Sequence, residues 1–399
     1  MDITIFPKLL EGSITAIPSK SQAHRLLICA AFADRPTVLF CPRTNRDMEA
    51  TAQCLRALGA DILRTQEGYQ VTPVTQLPRS AELCCGESGS TLRFLLPIVG
   101  ALGVDATFRM EARLPQRPLS PLWEELERMG CTLTRPTPDT LRCQGQLQGG
   151  NYEISGGVSS QFITGLLFAA ALLKEDSSIQ VIGKLESKPY VDMTLAALAL
   201  FGIRTEGLSL KGGQHFRSPG QVTVEGDWSN GAFFLAANTL GSYIRVDNLS
   251  DTSPQGDRAV AHWLQQLPKN HCVIDATDIP DLVPILAVVA GACQGAEFTG
   301  IRRLRLKETD RVATVCAMLE ALGTQTLATE DTLSVSPAPY RGCTIDATDD
   351  HRIAMAAGIA ATVADAPVTI LNAHSVTKSY PDFWAEYRRL GGVYEQHLR

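Results

Sequence analysis

No stretch of this sequence is apolar for long enough to cross a bilayer as a helix. The longest run, Leu282 to Cys293 with Pro284 inside it, is about a dozen residues where roughly 20 are needed, so no membrane span is expected. No two of the eleven cysteines have CxxC spacing and only Cys84 and Cys85 are adjacent, so neither a disulfide framework nor a zinc site is indicated and the thiols are expected to be reduced core residues. The patterns GxxxxGKS/T, GxGxxG and HExxH are absent, which leaves P-loop nucleotide hydrolysis, nicotinamide chemistry and zinc proteolysis without support. A basic excess is also lacking: 36 Lys and Arg against 42 Asp and Glu give a net charge of −6, and nucleic acid is not the expected partner. The opening MDITIFPKLLEG carries two acids and one Lys, the reverse of a secretory signal, and a cytoplasmic protein is expected. What remains is a 399-residue chain, 45% hydrophobic and 20% charged, which suits a folded protein of two domains or one large one.

Six times the chain runs from a short polar or acidic start into an almost wholly apolar, Ala-rich stretch: SQAHRLLICAAFA from Ser21, STLRFLLPIVGAL from Ser90, SQFITGLLFAAALL from Ser160, SNGAFFLAANTL from Ser229, DLVPILAVVAGA from Asp281 and DHRIAMAAGIAAT from Asp350. The starts lie 69, 70, 69, 52 and 69 residues apart, a spacing that predicts an internal repeat with one shortened member. After each apolar stretch come a β-like run, a polar loop and a second, amphipathic helix. Five of these second helices close on Gly59, Gly130, Gly202, Gly323 and Gly391, where a left-handed C-cap needs no Cβ, and the fourth closes on Pro268. A helix apolar all round must be buried, whereas an amphipathic one keeps a wet face. Each module therefore reads as α/β with one inner helix, and six modules read as two similar domains with three inner helices apiece.

Ser or Asp at the start of an inner helix is expected to cap it. Several starts also carry Lys20, Arg25, Arg93, Gln161 and Arg352, and a cation there opposes the helix dipole, so stability alone does not select it. Together with unpaired backbone N–H groups such cations make an anion site. Arg117, Lys188, Lys307, Arg311 and Lys378 recur near the starts of the second helices. Convergence of these cations in an acidic protein predicts a local site for a multiply anionic ligand. Among candidate acids and bases, Glu308 stands between Lys307 and Arg311 in KETDR, where neighbouring cations displace its titration. Asp281 in IPDLVP opens an apolar helix and is open to a capping or a chemical role, His351 in DDHR is open to a structural or a titrating one, and Asp310 is expected to cap the helix after KET.

Ten ordered segments, SKSQAHR at Ser19, GESGSTLR at Gly86, QRPLSPL at Gln116, VSSQFITGLL at Val158, ESKPYVDMT at Glu186, EGDWSNGAFFLAA at Glu225, IPD at Ile279, LKETDR at Leu306, DDHRIAMA at Asp349 and the Lys378 segment, give the chain a resemblance over essentially its full length to the 5-enolpyruvylshikimate-3-phosphate synthase family. The resemblance implies two inside-out α/β barrel domains, each of three βαβαββ-type repeats: a discontinuous one over 1–18 plus 226–399 and an inserted one over 19–225, with the active site in the cleft between them. Cations contributed by both halves would repel each other until an anion bridges them, so closure of the domains on substrate is expected. The resemblance also implies transfer of the enolpyruvyl group of phosphoenolpyruvate to the 5-hydroxyl of shikimate 3-phosphate, with release of phosphate and without metal or organic cofactor, by a monomer. By the same resemblance, Lys20, Ser21, Arg25, Ser159, Ser160, Gln161, Ser187, Tyr190, Asp281 and Lys307 would hold shikimate 3-phosphate. Lys20, Gly89, Arg117, Gln161, Arg311, Arg352 and Lys378 would hold phosphoenolpyruvate, and Asp281, Glu308 and Lys20 would be catalytic.

The chain departs from the commoner family pattern at Glu87, Ser90 and Arg303, where members with an NAGT or NSGT loop carry Asn and Thr and some members carry Asn. Glu87 places an extra carboxylate beside a phosphate-binding loop. The related transferase that acts on UDP-N-acetylglucosamine shares the fold, but its members carry a Lys-Asn pair and a loop Cys; here Ser21 follows Lys20 and MEARLPQ before Arg117 has no Cys. RNA 3′-phosphate cyclase shares a related module and is disfavoured by the acidic balance. A non-catalytic anion-binding protein would keep the repeats and cations without Glu308, Asp281 and Lys20.

Overall fold

Helices with no wet face have to be wrapped, and in the computed structural model, which describes residues 1–397, β-sheets do the wrapping. The mixed α/β chain divides into two units, Pro18–Val224 and Met1–Ile17 together with 225–397, each with its own hydrophobic core. Among the described residues no helix is long and apolar enough to cross a membrane, and the eleven cysteines are free thiols.

The Pro18–Val224 unit contains six α-helices: α1 (Lys20–Ala31), α2 (Arg46–Ala57), α3 (Gly89–Leu102), α4 (Leu122–Arg128), α5 (Ser160–Leu172) and α6 (Lys188–Leu200). Helices α1, α3 and α5 are buried along most of their length and belong to one core, whereas α2 and α4 each turn one face to solvent. Close packing of α3 on α5 depends on Gly165, since a Cβ there would lie 2.2 Å from the Arg93 carbonyl oxygen. Three four-stranded sheets surround these helices and share one topology. In one of them Ser80–Gly86 pairs parallel with Asp105–Met110, which pairs antiparallel with Thr140–Gly145 and through it with Cys131–Thr134. The register sets Leu83 opposite Phe108 and Phe108 opposite Leu141, all wholly buried, so the alternate residues of each strand supply the core.

The second unit contains α7 (Trp228–Thr239), α8 (Val260–Gln266), α9 (Val283–Ala292), α10 (Arg311–Ala321), α11 (His351–Ala360) and α12 (Phe383–Arg389). Here α7, α9 and α11 form the buried set. Two of its sheets have four strands with the same topology, one of them completed by the N-terminal strand Asp2–Phe6 between Val368–Leu371 and Val393–His397. Across the two units the helices α2, α4, α6, α10 and α12 are followed by Gly59, Gly130, Gly202, Gly323 and Gly391, all at positive φ.

The third sheet of this unit has two strands, Glu11–Thr15 parallel to Tyr243–Asp247. After α8 the chain passes directly into Cys272–Asp275 of the next sheet, which is why the interval from Ser229 to Asp281 is short. An outer strand edge is thereby left without a neighbour. Tyr243 and Asp247 bond toward the Glu11–Thr15 side, through Tyr243 N to Leu10 O and Ala16 N to Asp247 O, both 2.8 Å. The peptide groups of Ile244 therefore face the other edge. There the Asn238 side chain takes the place of a strand: its Nδ2 donates to Ile244 O and its Oδ1 accepts from Ile244 N, both at 2.7 Å. Asn238→Leu leaves both groups of the buried Ile244 without partners and is expected to cost about 1–3 kcal/mol of stability. Asn238→Asp, which keeps the acceptor, is expected to lose less in urea unfolding, and an unchanged midpoint in Asn238→Leu would contradict the edge-capping account.

Candidate active site

In the Pro18–Val224 unit the inner helices are capped, but by residues one or two places earlier than the sequence suggests. Ser19 Oγ accepts from Gln22 N at 3.4 Å, Ser88 Oγ from Thr91 N at 3.2 Å and Ser159 Oγ from Gln161 N at 3.3 Å. Ser21, Ser90 and Ser160 are thus not caps; they lie in the first turn with hydroxyls available for other work. A cap needs the extended backbone found at Ser19, Ser88 and Ser159, which the next residues, already helical, lack.

Ser90 Oγ accepts from Gln161 Nε2 at 3.0 Å, and Gln161 Oε1 accepts from Arg93 Nη1 at 3.0 Å, tying the starts of α3 and α5 together. A Cβ on Gly89 would lie 2.6 Å from Arg93 Nη1 and 2.8 Å from Arg117 Nη1, so two guanidinium groups converge on this helix start only because residue 89 is glycine. Such an arrangement favours an anion. Lys20 Nζ donates to Asp47 Oδ2 at 2.9 Å. Arg25, 2% exposed, is held by Thr194, Thr164 and the carbonyls of Ser21 and Tyr190, and burial lowers its pKa to about 10. Ser187, at the start of α6, is buried and has the left-handed φ of 55°, a conformation that costs energy in a non-glycine residue.

The second unit brings Asp281, Glu308, Arg311 and Arg352 into one cluster. Asp281 is no helix cap; it sits in the 3₁₀ turn Pro280–Leu282 and accepts from Arg311 Nη1 at 2.9 Å and Arg352 Nη2 at 3.0 Å, with Lys307 Nζ at 3.7 Å. Arg311, 1% exposed, also donates from Nη2 to Glu308 Oε2 at 2.5 Å and from Nε to Asp350 Oδ2 at 2.9 Å. Burial works against its charge, but Asp350, Glu308 and Asp281 overrule burial and hold its pKa above the ordinary value. Burial would raise the Asp281 pKa; Arg352, Lys307 and Arg311 instead hold it well below the usual carboxylate range. Asp350 is likewise held ionised against its burial, chiefly by Arg311, and caps α11 by accepting from Arg352 N at 2.9 Å. Asp310 caps α10, accepting from Ala313 N at 3.1 Å. Lys378 is half-exposed and donates to Asp349 O at 3.0 Å, and Arg303, 9% exposed, donates to Thr277 O at 3.1 Å.

Sequence reasoning missed Asp47 and Asp350 as partners of site cations, and Ser229, which is not the cap of α7, since Asp227 Oδ1 accepts from Asn230 N, but accepts from Arg352 Nη2 at 3.2 Å. An acidic residue in the first turn of α2 and a doubled Asp before α11 were the available signals.

One unit gathers cations and first-turn hydroxyls at helix starts, side chains suited to small polyanions, and the other an arginine-centred set of carboxylates; comparison with known proteins defines the class as an enolpyruvyl-transferring enzyme. The model of the EPSP synthase (3-phosphoshikimate 1-carboxyvinyltransferase) family matches residues 6–278 and 263–387. A 3-phosphoshikimate 1-carboxyvinyltransferase of Clostridium kluyveri is 36% identical over 99% of this chain and 98% of its own length, and one of Clostridium acetobutylicum is 35% identical over 99% of each. A solved EPSP synthase of Acinetobacter baumannii superposes with a TM-score of 0.80 at 25% identity, covering 99% of this chain and all of the other. The chain belongs to the EPSP synthase family, and it transfers the enolpyruvyl group of phosphoenolpyruvate to shikimate 3-phosphate in aromatic amino acid biosynthesis.

Burial lowers the pKa of Lys307 to about 8, with Asp281 opposing that fall and Arg311 adding to it. Below that pH Lys307 carries the ammonium charge with which, as the resemblance implies, it would hold shikimate 3-phosphate; above it that charge is lost. The kcat/KM for shikimate 3-phosphate is therefore expected to decline on a basic limb near pH 8, well above the ~6 at which the substrate's own phosphate titrates. Lys307→Arg, which stays charged, should move that limb upward. A flat profile from pH 7 to 9.5, or the same limb in Lys307→Arg, would count against the assignment.

Proposed function

We propose that Glu308 moves the proton of the phosphoenolpyruvate methylene and that Asp281, with Lys20, takes the proton of the attacking 5-hydroxyl of shikimate 3-phosphate. The methylene carbon must gain a proton while the hydroxyl oxygen attacks the central carbon. The resulting tetrahedral intermediate then loses a methyl proton and phosphate, so one group gives a proton and takes one back. The single observation that carries this reading is Arg311, which donates to Glu308 at 2.5 Å and to Asp281 at 2.9 Å and so fixes the two carboxylates relative to one another. Asp281, held ionised by Arg352, Lys307 and Arg311 against its burial, suits a hydrogen bond from the sugar-like hydroxyls of the acceptor.

On this reading the anionic groups of shikimate 3-phosphate meet Arg25, Lys307 and the hydroxyls of Ser21, Ser159, Ser160 and Ser187. Phosphoenolpyruvate takes Arg117, Gln161, the Gly89 turn, Arg311, Arg352 and Lys378. Support comes from the convergence of Arg93 and Arg117 at Gly89 and from the forked geometry of arginine, which matches carboxylate and phosphate oxygens in pairs. We infer too that Pro18–Val224 and the remaining residues are the inserted and the discontinuous inside-out α/β barrel domains, a reading supported by three sheets around three buried helices in each.

Glu308→Gln keeps the hydrogen-bonding shape but cannot cycle a proton. It is expected to lower kcat by about 10² or more with both KM values little changed, measured as phosphate release. Unchanged turnover would remove Glu308 from the proton-transfer role.

A further inference from the structure

Among the buried arginines at these helix starts, Arg25 and Arg311 have surroundings that are opposite in kind. Arg311, 1% exposed, has three carboxylate partners. Arg25, 2% exposed, has none among the described residues: its Nε donates to Thr194 Oγ1 at 2.9 Å, its Nη1 to Ser21 O at 2.5 Å, and its Nη2 to Tyr190 O at 2.8 Å and Thr164 Oγ1 at 3.4 Å. Phe94 covers one side, its ring centroid 5.2 Å from Cζ. A buried cation without a counter-charge is costly, and its stability rests on how well its donors are satisfied.

The protons balance in one way. Thr194 Oγ1 donates to Tyr190 O at 3.0 Å, so toward Arg25 it acts as acceptor. Thr164 then donates across the 2.9 Å contact to Thr194 and turns its own lone pairs to Arg25. Both threonines are wholly buried in the middle of helices, where a hydroxyl otherwise competes with the backbone. Their contact also ties α5, which begins with Ser160 and Gln161, to α6, which follows Ser187.

We propose that Thr164 and Thr194 are positioning residues for the acceptor substrate: they fix the Arg25 guanidinium with neutral oxygens alone, so that its charge stays uncompensated until an anionic group of shikimate 3-phosphate meets it. A carboxylate in their place would satisfy the guanidinium better and repel the substrate. The inference rests on the reading that Arg25 meets shikimate 3-phosphate.

The test is steady-state phosphate release by the full chain with Thr194→Val, Thr164→Val and Thr194→Ser. Loss of a hydrogen bond to a charged group in Thr194→Val is expected to raise KM for shikimate 3-phosphate by about 10- to 100-fold, with kcat and KM for phosphoenolpyruvate held within about twofold. Thr164→Val, whose contact is the longer, should give a smaller rise in the same parameter, and Thr194→Ser should restore KM. An unchanged KM in Thr194→Val overturns the proposal, as does a parallel loss in all parameters that serine does not rescue. If Thr194→Val does not fold, Thr164→Val decides: a raised KM for shikimate 3-phosphate alone supports the proposal and an unchanged one overturns it. Absence of acceptor-dependent release from the wild type would instead fault the functional reading on which the inference rests.

Discussion

The buried charge of Arg311 is the constraint around which its unit is organised. A guanidinium that is 1% exposed persists only where its hydrogen bonds and charge are met, and here Asp281, Glu308 and Asp350 meet them from three separate segments of chain. Removing one partner of such a set typically costs about 3–5 kcal/mol, because the charge left behind is buried and uncompensated. Asp350 does two jobs at once, accepting from Arg311 and capping α11, so the start of that helix and the start of α10 are fixed by one carboxylate. The same pairing that stabilises the unit sets the orientation of the two carboxylates assigned to proton transfer. Structure and chemistry therefore share their interactions at this point, and a change that loosens one loosens the other.

The Pro18–Val224 unit solves the opposite problem. Among the described residues Arg25 is held without a carboxylate, and two guanidiniums crowd against Gly89, so positive charge is gathered at helix starts in a chain whose net charge is −6. Helix N-termini add to that charge, and moving the caps back to Ser19, Ser88 and Ser159 leaves Ser21, Ser90 and Ser160 in the first turn. Arg25 is thus held by neutral oxygens, whereas Arg311 is held by carboxylates.

Much of this was legible in the sequence. The inner helices α1, α3, α5, α7, α9 and α11 announce themselves because a stretch that is apolar on every side has nowhere to go but a core, and the glycines after five second helices mark where those helices stop. The short interval between Ser229 and Asp281 signalled a missing piece, but not that Asn238 would cover the edge left behind, since its partner is reached only after the chain turns back. The caps were displaced for a local reason: Ser19 and Ser21, Ser88 and Ser90, and Ser159 and Ser160 are like residues within two positions, and only backbone angles separate cap from first turn. The pairings of Lys20 with Asp47, Arg311 with Asp350 and Arg25 with Thr194 join residues 27, 39 and 169 positions apart, and no local pattern encodes them.

The account holds that the acceptor this chain uses is shikimate 3-phosphate, which is both phosphorylated and carboxylated. The most direct measurement is phosphate release from phosphoenolpyruvate by the purified wild-type protein with shikimate 3-phosphate, with UDP-N-acetylglucosamine, and with no acceptor. Release with shikimate 3-phosphate alone is the predicted result. Release with the nucleotide sugar, or equal release without any acceptor, would contradict it.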